Sequence, residues 1–337
     1  MFDRRLRSTA RPFARATRRI ADRIDRRAVH RRIARSPIVP TGWTIESVRR
    51  ARSDVRIVRL RGPAGEPAIL KLAAGPEGAE RLARERSRLL DVRARIPDPV
   101  LRQLVAEPLG AGTHDGWAYL TQAGLPGVNA TSILADEPAR RRVVAASSDV
   151  IGRIHQLTGS RRVLSDEELT VSVDRPLEVV AGLLGRPDGR LSRLREDLRR
   201  DVEGRELLGG VVHGDLWLEN VLVDPSDHRV LGIVDWDSAE LEGLALHDQL
   251  HLQLYTRKLV RRSEIGHEIC REAARIGRDA DAAASHAPPD SWSGLGPRTE
   301  LALYWLRLVE LNLVRQPRLT RRRAWVEANV REVLGCL

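Results

Sequence analysis

The sequence predicts an α+β fold in two lobes, a small β-rich lobe followed by a larger helical lobe. Its 337 residues exceed the roughly 150 of an average domain, and its 42% of apolar residues can supply a substantial core. Short runs with β-type patterning lie before about residue 123, whereas helical periodicity dominates after Pro126-Gly127. We therefore expect an N-terminal extension over 1–40, an N-lobe over 41–123 and a C-lobe over 124–337.

The first 40 residues form a segment of distinct composition. They contain 13 arginines and three aspartates, a local net charge of +10 out of +11 for the whole chain. Apolar residues recur at helical spacing, which predicts a basic amphipathic helix; they are Phe2, Leu6, Phe13, Ile20 and Ile24. Such a helix could contact a membrane surface or another polyanion, or fold back on its own domain. The remaining chain is electrically balanced, which argues against nucleic acid as its partner.

The number of cysteines and the lack of long apolar runs predict the cellular compartment. Cys270 and Cys336 are far apart in sequence and too few for a disulfide framework or a thiolate zinc site. No run approaches the roughly 18 apolar residues of a membrane span, and the N-terminus lacks the apolar core of a secretory signal. We expect a soluble, cytoplasmic protein in a reducing environment.

Secondary-structure signals follow the predicted order along the chain. In the N-lobe, "VRIVRLRG" and "PAILKLA" predict strands, "EGAERLARERSRLLDVRARI" predicts a helix, and "GWAYLTQAGLPG" predicts a strand leading out of the lobe. In the C-lobe, helices are expected near 136–157, 175–184 and 189–208, and again from about 243 to the end.

A hairpin is predicted between the C-lobe helices. Val221–Val223 and Val230–Val234 have strand patterning and are separated by a strong turn signal. Asn220 precedes the first strand and Asp235 follows the second, so antiparallel pairing brings them to the same end. Asp215 lies five residues upstream. Carboxylate and amide oxygens are the ligands that magnesium prefers, so this end is a candidate metal site.

The motif His213-Gly214-Asp215, followed by Asn220 and by Asp235-Trp236-Asp237, resembles the catalytic core of the aminoglycoside phosphotransferase and choline kinase family. The resemblance implies a bilobal protein-kinase-like fold. It also implies that Asp215 accepts or orients the proton of the attacking hydroxyl, and that Asn220 and Asp235 hold Mg²⁺. It further implies that His213 and Asp248 support the loop.

The resemblance also implies nucleotide-binding residues in the N-lobe, and the sequence has candidates for them. Lys71, one of only two lysines in the chain, lies in the strand "AILKLA", where the family has its phosphate-binding lysine. Glu85 on the next helix is expected to pair with it, with Glu80 as a competitor. The remaining predicted contacts to ATP or GTP are Ser53 in the nucleotide loop and Gln122, Ala123 and Gly124 at the lobe connection.

The resemblance implies ATP-dependent transfer of the γ-phosphate to a small hydroxylated molecule, such as an aminoglycoside, a sugar or an amino alcohol. Candidate acceptor contacts are Asp237, Glu240, Glu242, Glu300, Tyr304 and Glu310. For Tyr304 the alternative is an ordinary core position, and for the glutamates it is a solvated helix face.

Three other functions stay open on the sequence alone. The first is a kinase-like protein that binds nucleotide without transferring phosphate. The second is a metal-dependent phosphohydrolase with ligands from His213, His247, Asp248 and His251. The third is a binding module in which the basic N-terminus contacts nucleic acid or membrane with a steep salt dependence.

Overall fold

The structure is a computed structural model that describes residues 29–31, 33, 36–50, 55–185, 187–282 and 293–337. The described chain divides into two compact units. The first contains residues up to Arg93 together with Gln103–Pro126, and the second contains Ala94–Arg102 and Gly127–Leu337. Strands dominate the first unit and helices the second, which confirms the predicted α+β class. The amphipathic helix expected within residues 1–28 lies outside the described residues.

The first unit is built on a five-stranded antiparallel sheet with the order β1-β2-β3-β5-β4. Its strands are β1 Thr44–Arg50, β2 Arg56–Arg61, β3 Pro67–Ala73, β4 Pro108–His114 and β5 Trp117–Ala123. The central strand β3 is buried along most of its length, as its apolar composition predicts. Lys71 in β3 lies opposite Ile57 of β2 and Leu120 of β5.

Helix α1, Pro76–Arg95, follows β3, and the short helix α2, Pro99–Gln103, follows α1. Pro76 at the start and Glu77 in the first turn suit a helix N-terminus. The buried residues of α1 are Leu82, Glu85, Leu89 and Val92, three or four apart on one face. One buried position on this otherwise apolar stripe is therefore a carboxylate.

The end of the N-terminal segment packs on the first unit. Val29, Ile33 and Ile38 are buried in one apolar cluster with residues of β1, β2 and β3. This arrangement matches the alternative in which the extension folds back on its own domain.

The second unit is mainly helical. Its helices are α3 Glu137–Thr158, α4 Asp166–Leu169, α5 Arg175–Leu184, α6 Gly189–Val202, α7 Leu246–Arg261, α8 Ile265–Ala282, α9 Pro297–Arg315, α10 Arg323–Val326 and α11 Glu332–Cys336. The helices expected near 136–157 and 175–184 are confirmed as α3 and α5. No helix in the described part of the chain is both long and apolar enough to cross a membrane.

Two three-stranded antiparallel sheets complete the second unit, with the orders β10-β9-β6 and β11-β8-β7. The strands are β6 Val128–Asn129, β7 Ser160–Val163, β8 Glu206–Val212, β9 Val221–Val223, β10 Val230–Ile233 and β11 Glu240–Leu244. The hairpin β9–β10 is the predicted one. The helix expected over 189–208 is too long, because α6 ends at Val202 and the buried run that follows is strand β8. Strand β11 and its sheet were not predicted.

The two cysteines form a disulfide, which corrects the prediction that they stay reduced. Cys270 on α8 and Cys336 on α11 have Cα atoms 5.4 Å apart although 66 residues separate them in sequence. Packing of α8 against α11 brings the two cysteines together. Their separation in sequence does not indicate the distance between their Cα atoms, which decides whether a disulfide can form.

Candidate active site

Asp248 organises the loop that follows β8. It lies in the first turn of α7 and is fully buried. Its carboxylate accepts hydrogen bonds from the backbone N–H groups of His213 at 2.7 Å and Gly214 at 2.9 Å, and lies 3.1 Å from His155 Nε2. Burial alone would raise the pKa of Asp248, but the His155 contact and the attraction of His155 and His213 lower it to about 2. An ionised carboxylate thus fixes the loop backbone.

His213 joins the loop to the end of β10. Its Nε2 lies 2.9 Å from the Val234 carbonyl oxygen, and its Nδ1 accepts the Asp215 backbone N–H at 3.2 Å. Because a carbonyl only accepts hydrogen bonds, the ring proton is on Nε2. The ring is buried against Trp236, with centroids 4.6 Å apart. These bonds suit the supporting role predicted for His213.

Gly214 is required by the backbone at this point. Its φ is +79°, and a Cβ atom built there would lie 2.3 Å from the Ser238 carbonyl oxygen. A side chain would therefore meet both backbone strain and a steric clash. The close approach keeps the residue before Asp215 against the segment that follows β10.

Asp215, the predicted catalytic residue, is partly buried between two basic side chains. Its Oδ1 lies 3.4 Å from His251 Nε2, and its Oδ2 lies 3.2 Å from Arg315 Nη1. Burial alone would raise the pKa of Asp215, but the attraction of His251 and then of Arg315 holds it well below its usual value. The carboxylate is therefore ionised at neutral pH.

His251 belongs to a buried aromatic group in the second unit. Its Nδ1 lies 3.0 Å from the Tyr304 hydroxyl oxygen on α9. Its ring is 4.9 Å, centroid to centroid, from Tyr255, which lies 4.9 Å from Trp217 on the other side. Burial raises the pKa of Tyr304, so its hydroxyl stays protonated. The imidazole that contacts Asp215 is therefore packed between the rings of Tyr255 and Tyr304.

Asn220 connects the two predicted metal-ligand positions through the backbone. Its side-chain Nδ2 donates to the Asp215 carbonyl at 2.9 Å, and its own carbonyl accepts the Val234 N–H at 2.9 Å. Since Nδ2 is used in this way, the side-chain Oδ1 is the atom left to act as a ligand. Asp235, directly after Val234, is exposed and has left-handed backbone angles, φ 69° and ψ 54°. An amide oxygen and a carboxylate fit the hard-ligand chemistry of Mg²⁺.

Within the first unit, Lys71 pairs with Glu85. The Nζ–Oε1 distance is 2.5 Å, and both residues are buried. Glu80, the competing partner, is exposed on the same helix. Ser53, predicted to contact nucleotide, lies outside the described residues.

The predicted lobe connection is engaged in the sheet of the first unit. The N–H of Ala123 donates to the Glu107 carbonyl at 2.8 Å, and that of Gly124 donates to the Pro67 carbonyl at 2.9 Å. Gln122 is buried, and its side-chain oxygen has no hydrogen-bond partner within the described part of the chain. These two N–H groups are used within the sheet, and the contact of Gln122, Ala123 and Gly124 with adenine stays a prediction.

Three predicted acidic contacts pair with arginines. The pairs, all within the second unit, are Glu240 with Arg307, Glu242 with Arg95 at 2.8 Å, and Glu310 with Arg175 at 3.2 Å. Their charge is therefore balanced before any acceptor arrives.

The other predicted acceptor contacts differ in their surroundings. Glu300 is buried and accepts hydrogen bonds from the Ser293 backbone N–H at 3.0 Å and hydroxyl at 2.5 Å, which suits a structural residue better than an acceptor contact. Tyr304 is a core residue whose hydroxyl faces His251. Asp237 is half-buried, with Ser238 Oγ 3.1 Å from its Oδ1.

The ligands proposed for a phosphohydrolase do not assemble. Among the described residues, no group of three His, Cys, Asp or Glu side chains is placed to hold a metal ion. The polar side-chain atoms of His213 and Asp248 are engaged in contacts that hold the loop. His247 is buried, and neither of its ring nitrogens is hydrogen-bonded in the described structure. Burial and the nearby Arg307 keep the pKa of His247 low.

Arg315 and His251 are the neighbours of Asp215 that sequence reasoning missed as parts of this site. Arg315 is 100 residues away at the end of α9, in a chain with many arginines, and no local pattern marks it. The sequence did contain a signal for His251, because it lies three residues after Asp248 and therefore on the same face of α7.

The chain is similar to known phosphotransferases. The model of the phosphotransferase enzyme family, APH, matches residues 47–248, more than half of the chain. An aminoglycoside 3'-phosphotransferase of Streptomyces ribosidificus is 35% identical over 137 residues, covering 37% of this chain and 49% of the relative. A probable acyl-CoA dehydrogenase, IBR3, of Arabidopsis thaliana is 34% identical over 62 residues, covering 17% of this chain and 8% of the relative. The chain spans about half or less of the length of these curated relatives.

Solved structures are also similar. An aminoglycoside-3'-phosphotransferase of type VIII is 23% identical and has a TM-score of 0.45, with 82% of this chain and 96% of that chain covered. A macrolide 2'-phosphotransferase of Brachybacterium faecium is 18% identical and has a TM-score of 0.49, with 86% and 93% covered.

Proposed function

Because the chain belongs to the phosphotransferase enzyme family, we propose that it transfers the γ-phosphoryl group of ATP or GTP to a hydroxyl group of a small molecule. The proposal rests mainly on the hydrogen bonds of Asn220. Its side chain donates to the backbone carbonyl of Asp215, and its own carbonyl accepts the N–H of Val234, the residue before Asp235. A carboxylate base and two oxygen ligands thus belong to one hydrogen-bonded segment. Phosphoryl transfer needs mainly such positioning and charge neutralisation from a protein.

Asp215 is the proposed catalytic residue. Its ionised carboxylate only accepts hydrogen bonds, so it would accept the proton of the attacking hydroxyl as a hydrogen bond and align the oxygen. His251 and Arg315 hold the pKa of Asp215 low, so the carboxylate is a weak base in the resting enzyme. Its proposed role is therefore to align the attacking hydroxyl rather than to keep the proton.

The proposed cofactors are the nucleotide and Mg²⁺. Asn220 Oδ1 and the Asp235 carboxylate would hold the metal ion, which when bound neutralises charge on the nucleotide phosphates. Lys71 would contact those phosphates as a compact cation. Glu85 supports this role because it holds the lysine side chain in one buried position.

A neutral hydroxylated acceptor, such as a sugar, is favoured over an acceptor with several amines. An amine brought to Glu240 would meet the guanidinium of Arg307, which already neutralises that carboxylate. Arg315 places a second cation beside Asp215. Lys258 Nζ, 4.0 Å from the Tyr255 ring centroid, adds a further cation near this group. Trp217, which is half-buried beside Tyr255, is an aromatic side chain of the kind on which a sugar ring packs.

The test is coupled ADP release by the full chain with Mg²⁺, screened against aminoglycosides, sugars, nucleosides and amino alcohols. We expect acceptor-dependent ADP release, and a fall in kcat of about 10²- to 10⁴-fold in Asp215→Asn. Asp235→Ala should lose activity that excess Mg²⁺ partly restores. Asp227→Asn in the β9–β10 turn is the matched control and should keep wild-type activity.

Each competing function has its own result in this assay. Nucleotide binding without ADP release for any acceptor would identify a binding protein rather than a transferase. Phosphate release that does not depend on an acceptor would favour a hydrolase. Transfer that survives both Asp215→Asn and Asp235→Ala within a few fold would overturn the proposed mechanism.

A further inference from the structure

We propose that His251, held by Tyr304, is a positioning residue that orients the Asp215 carboxylate through its Nε2–H group. The proposal rests on the proposed function, because it assigns His251 a part in the same phosphoryl transfer. It concerns a buried pair on α7 and α9 rather than the motif residues around the loop.

The geometry forms a chain of three side chains. Tyr304 Oη lies 3.0 Å from His251 Nδ1, and His251 Nε2 lies 3.4 Å from Asp215 Oδ1. Tyr304 and His251 are 3% and 8% exposed. The chain therefore runs from the core of the second unit to the predicted catalytic carboxylate, away from water.

The direction of the hydrogen bonds follows from the Tyr304 hydroxyl. Within the described residues, its one hydrogen-bond partner is His251 Nδ1. Burial raises the pKa of Tyr304, so the hydroxyl keeps its proton and can donate it to Nδ1. The proton of the neutral imidazole is then on Nε2, facing Asp215. In the imidazolium both nitrogens carry protons, so Nε2–H faces the carboxylate in either state.

The reverse arrangement is unfavourable. With the proton on Nδ1 alone, the Nε2 lone pair would face an ionised carboxylate oxygen in a buried environment. Nε2 is also a buried polar atom without a hydrogen-bond partner among the described residues. Closing the gap to a normal N–H···O distance of roughly 3.0 Å would satisfy this atom. Catalytic hydrogen bonds often tighten in this way once substrate is bound.

His251 and Arg315 hold different oxygens of Asp215 and differ in exposure. Arg315 is about one-third exposed at the end of α9, with Nη1 3.2 Å from Oδ2 and with Nη2 donating to Ser238 Oγ. His251 is buried between Tyr255 and Tyr304. The buried contact is therefore His251 to Oδ1, and Oδ2 is the oxygen on the exposed side, where the hydroxyl of an acceptor would arrive.

The test compares three variants in the ADP-release assay with an acceptor found in the screen. His251→Leu removes the donor, and we expect kcat to fall about 10- to 100-fold, the effect of one hydrogen bond to a charged group, with the KM for ATP within twofold. His251→Gln, whose amide nitrogen can replace Nε2–H, should retain most of kcat. Tyr304→Phe, a small change in the core, should lower kcat less than His251→Leu.

Two further measurements separate positioning from a structural role. In an Asp215→Ala background, which removes the acceptor oxygen of His251 Nε2–H, His251→Leu should lower the remaining activity less than twofold; a full additional loss would overturn the proposal. The ¹⁵N spectrum of the His251 ring in wild-type protein should show Nε2 protonated, and a ring protonated on Nδ1 alone would also overturn it.

The failure of the positioning role and that of the proposed function are distinguishable. No ADP release by the wild type with any acceptor would overturn the proposed function. An active wild type whose His251→Leu variant keeps full kcat would overturn the positioning role alone.

Discussion

Replacing Asp248 with asparagine tests the idea that a buried carboxylate holds the catalytic loop. The wild-type side chain accepts two backbone N–H groups and contacts His155. Asparagine has nearly the same shape but offers one acceptor oxygen, and its NH₂ group would face a backbone donor. The variant therefore removes the charge and one acceptor while leaving the packing almost unchanged.

The magnitude follows from the pKa of Asp248. A folded-state pKa of about 2 against the usual 3.8 corresponds to about 2 kcal/mol of stability at pH 7, at 1.36 kcal/mol per unit. A buried donor left without an acceptor adds about 1 to 2 kcal/mol. We expect Asp248→Asn to lower the free energy of unfolding by about 3 to 4 kcal/mol. Because the pKa is lowered on folding, the charge contribution is present above pH 4 and is lost as pH falls towards 2.

Urea unfolding at pH 7 and pH 3, followed by the fluorescence of the seven tryptophans, measures both effects. The difference between wild type and variant should shrink by about 1 kcal/mol at the lower pH. Asp227→Asn, on an exposed turn, is the control and should change stability by less than about 0.5 kcal/mol. A difference below about 1 kcal/mol at pH 7, or one independent of pH, would refute the reasoning.

Two other changes probe the two units separately. Lys71→Met should destabilise the first unit by about 3 to 5 kcal/mol, since it removes the buried ammonium that pairs with Glu85. Adding Glu85→Leu should recover at least half of that loss in urea unfolding, and simple additivity would contradict the buried ion pair. In the second unit, Cys336→Ser should cost about 4 kcal/mol by opening a 66-residue loop. Thermal unfolding of wild type should then respond to reductant and that of the variant should not; identical melting of both would exclude the disulfide.

The hairpin could be predicted because its signals are local. Turn residues at Asp224 and Asp227 bond to the backbone two residues on, and the apolar runs on either side pair across the turn. This antiparallel pairing places Val221 opposite Ile233 and brings Asn220 next to Val234. The pairing of β9 with β10 therefore follows from the sequence, whereas the register shift between Val230 and Gly232 and the third strand, β6, do not.

Other features depend on distant contacts and gave no local signal. The apolar run of β8 reads equally well as the continuation of a helix, and only its pairing with β7 and β11 makes it a strand. The Cys270–Cys336 bridge and the Arg315–Asp215 pair each join residues whose separation in sequence exceeds 60. Such contacts are set by how α8, α9 and α11 pack, which composition and periodicity do not determine.

Helix α7 shows why a polar stretch is buried in this chain. Its first turns carry His247, Asp248, Gln249 and His251, all buried, where an amphipathic helix normally places apolar side chains. Burying polar groups is costly unless they have partners. Asp248 and Gln249 have hydrogen-bond partners, whereas neither ring nitrogen of His247 has one in the described structure. Asp248 and His251, three residues apart on one face, act on the same loop, the first on the backbone of His213 and Gly214 and the second on the side chain of Asp215. A single rigid helix therefore fixes both the path of the loop and the direction of its carboxylate, and a shift of α7 would disturb the two together.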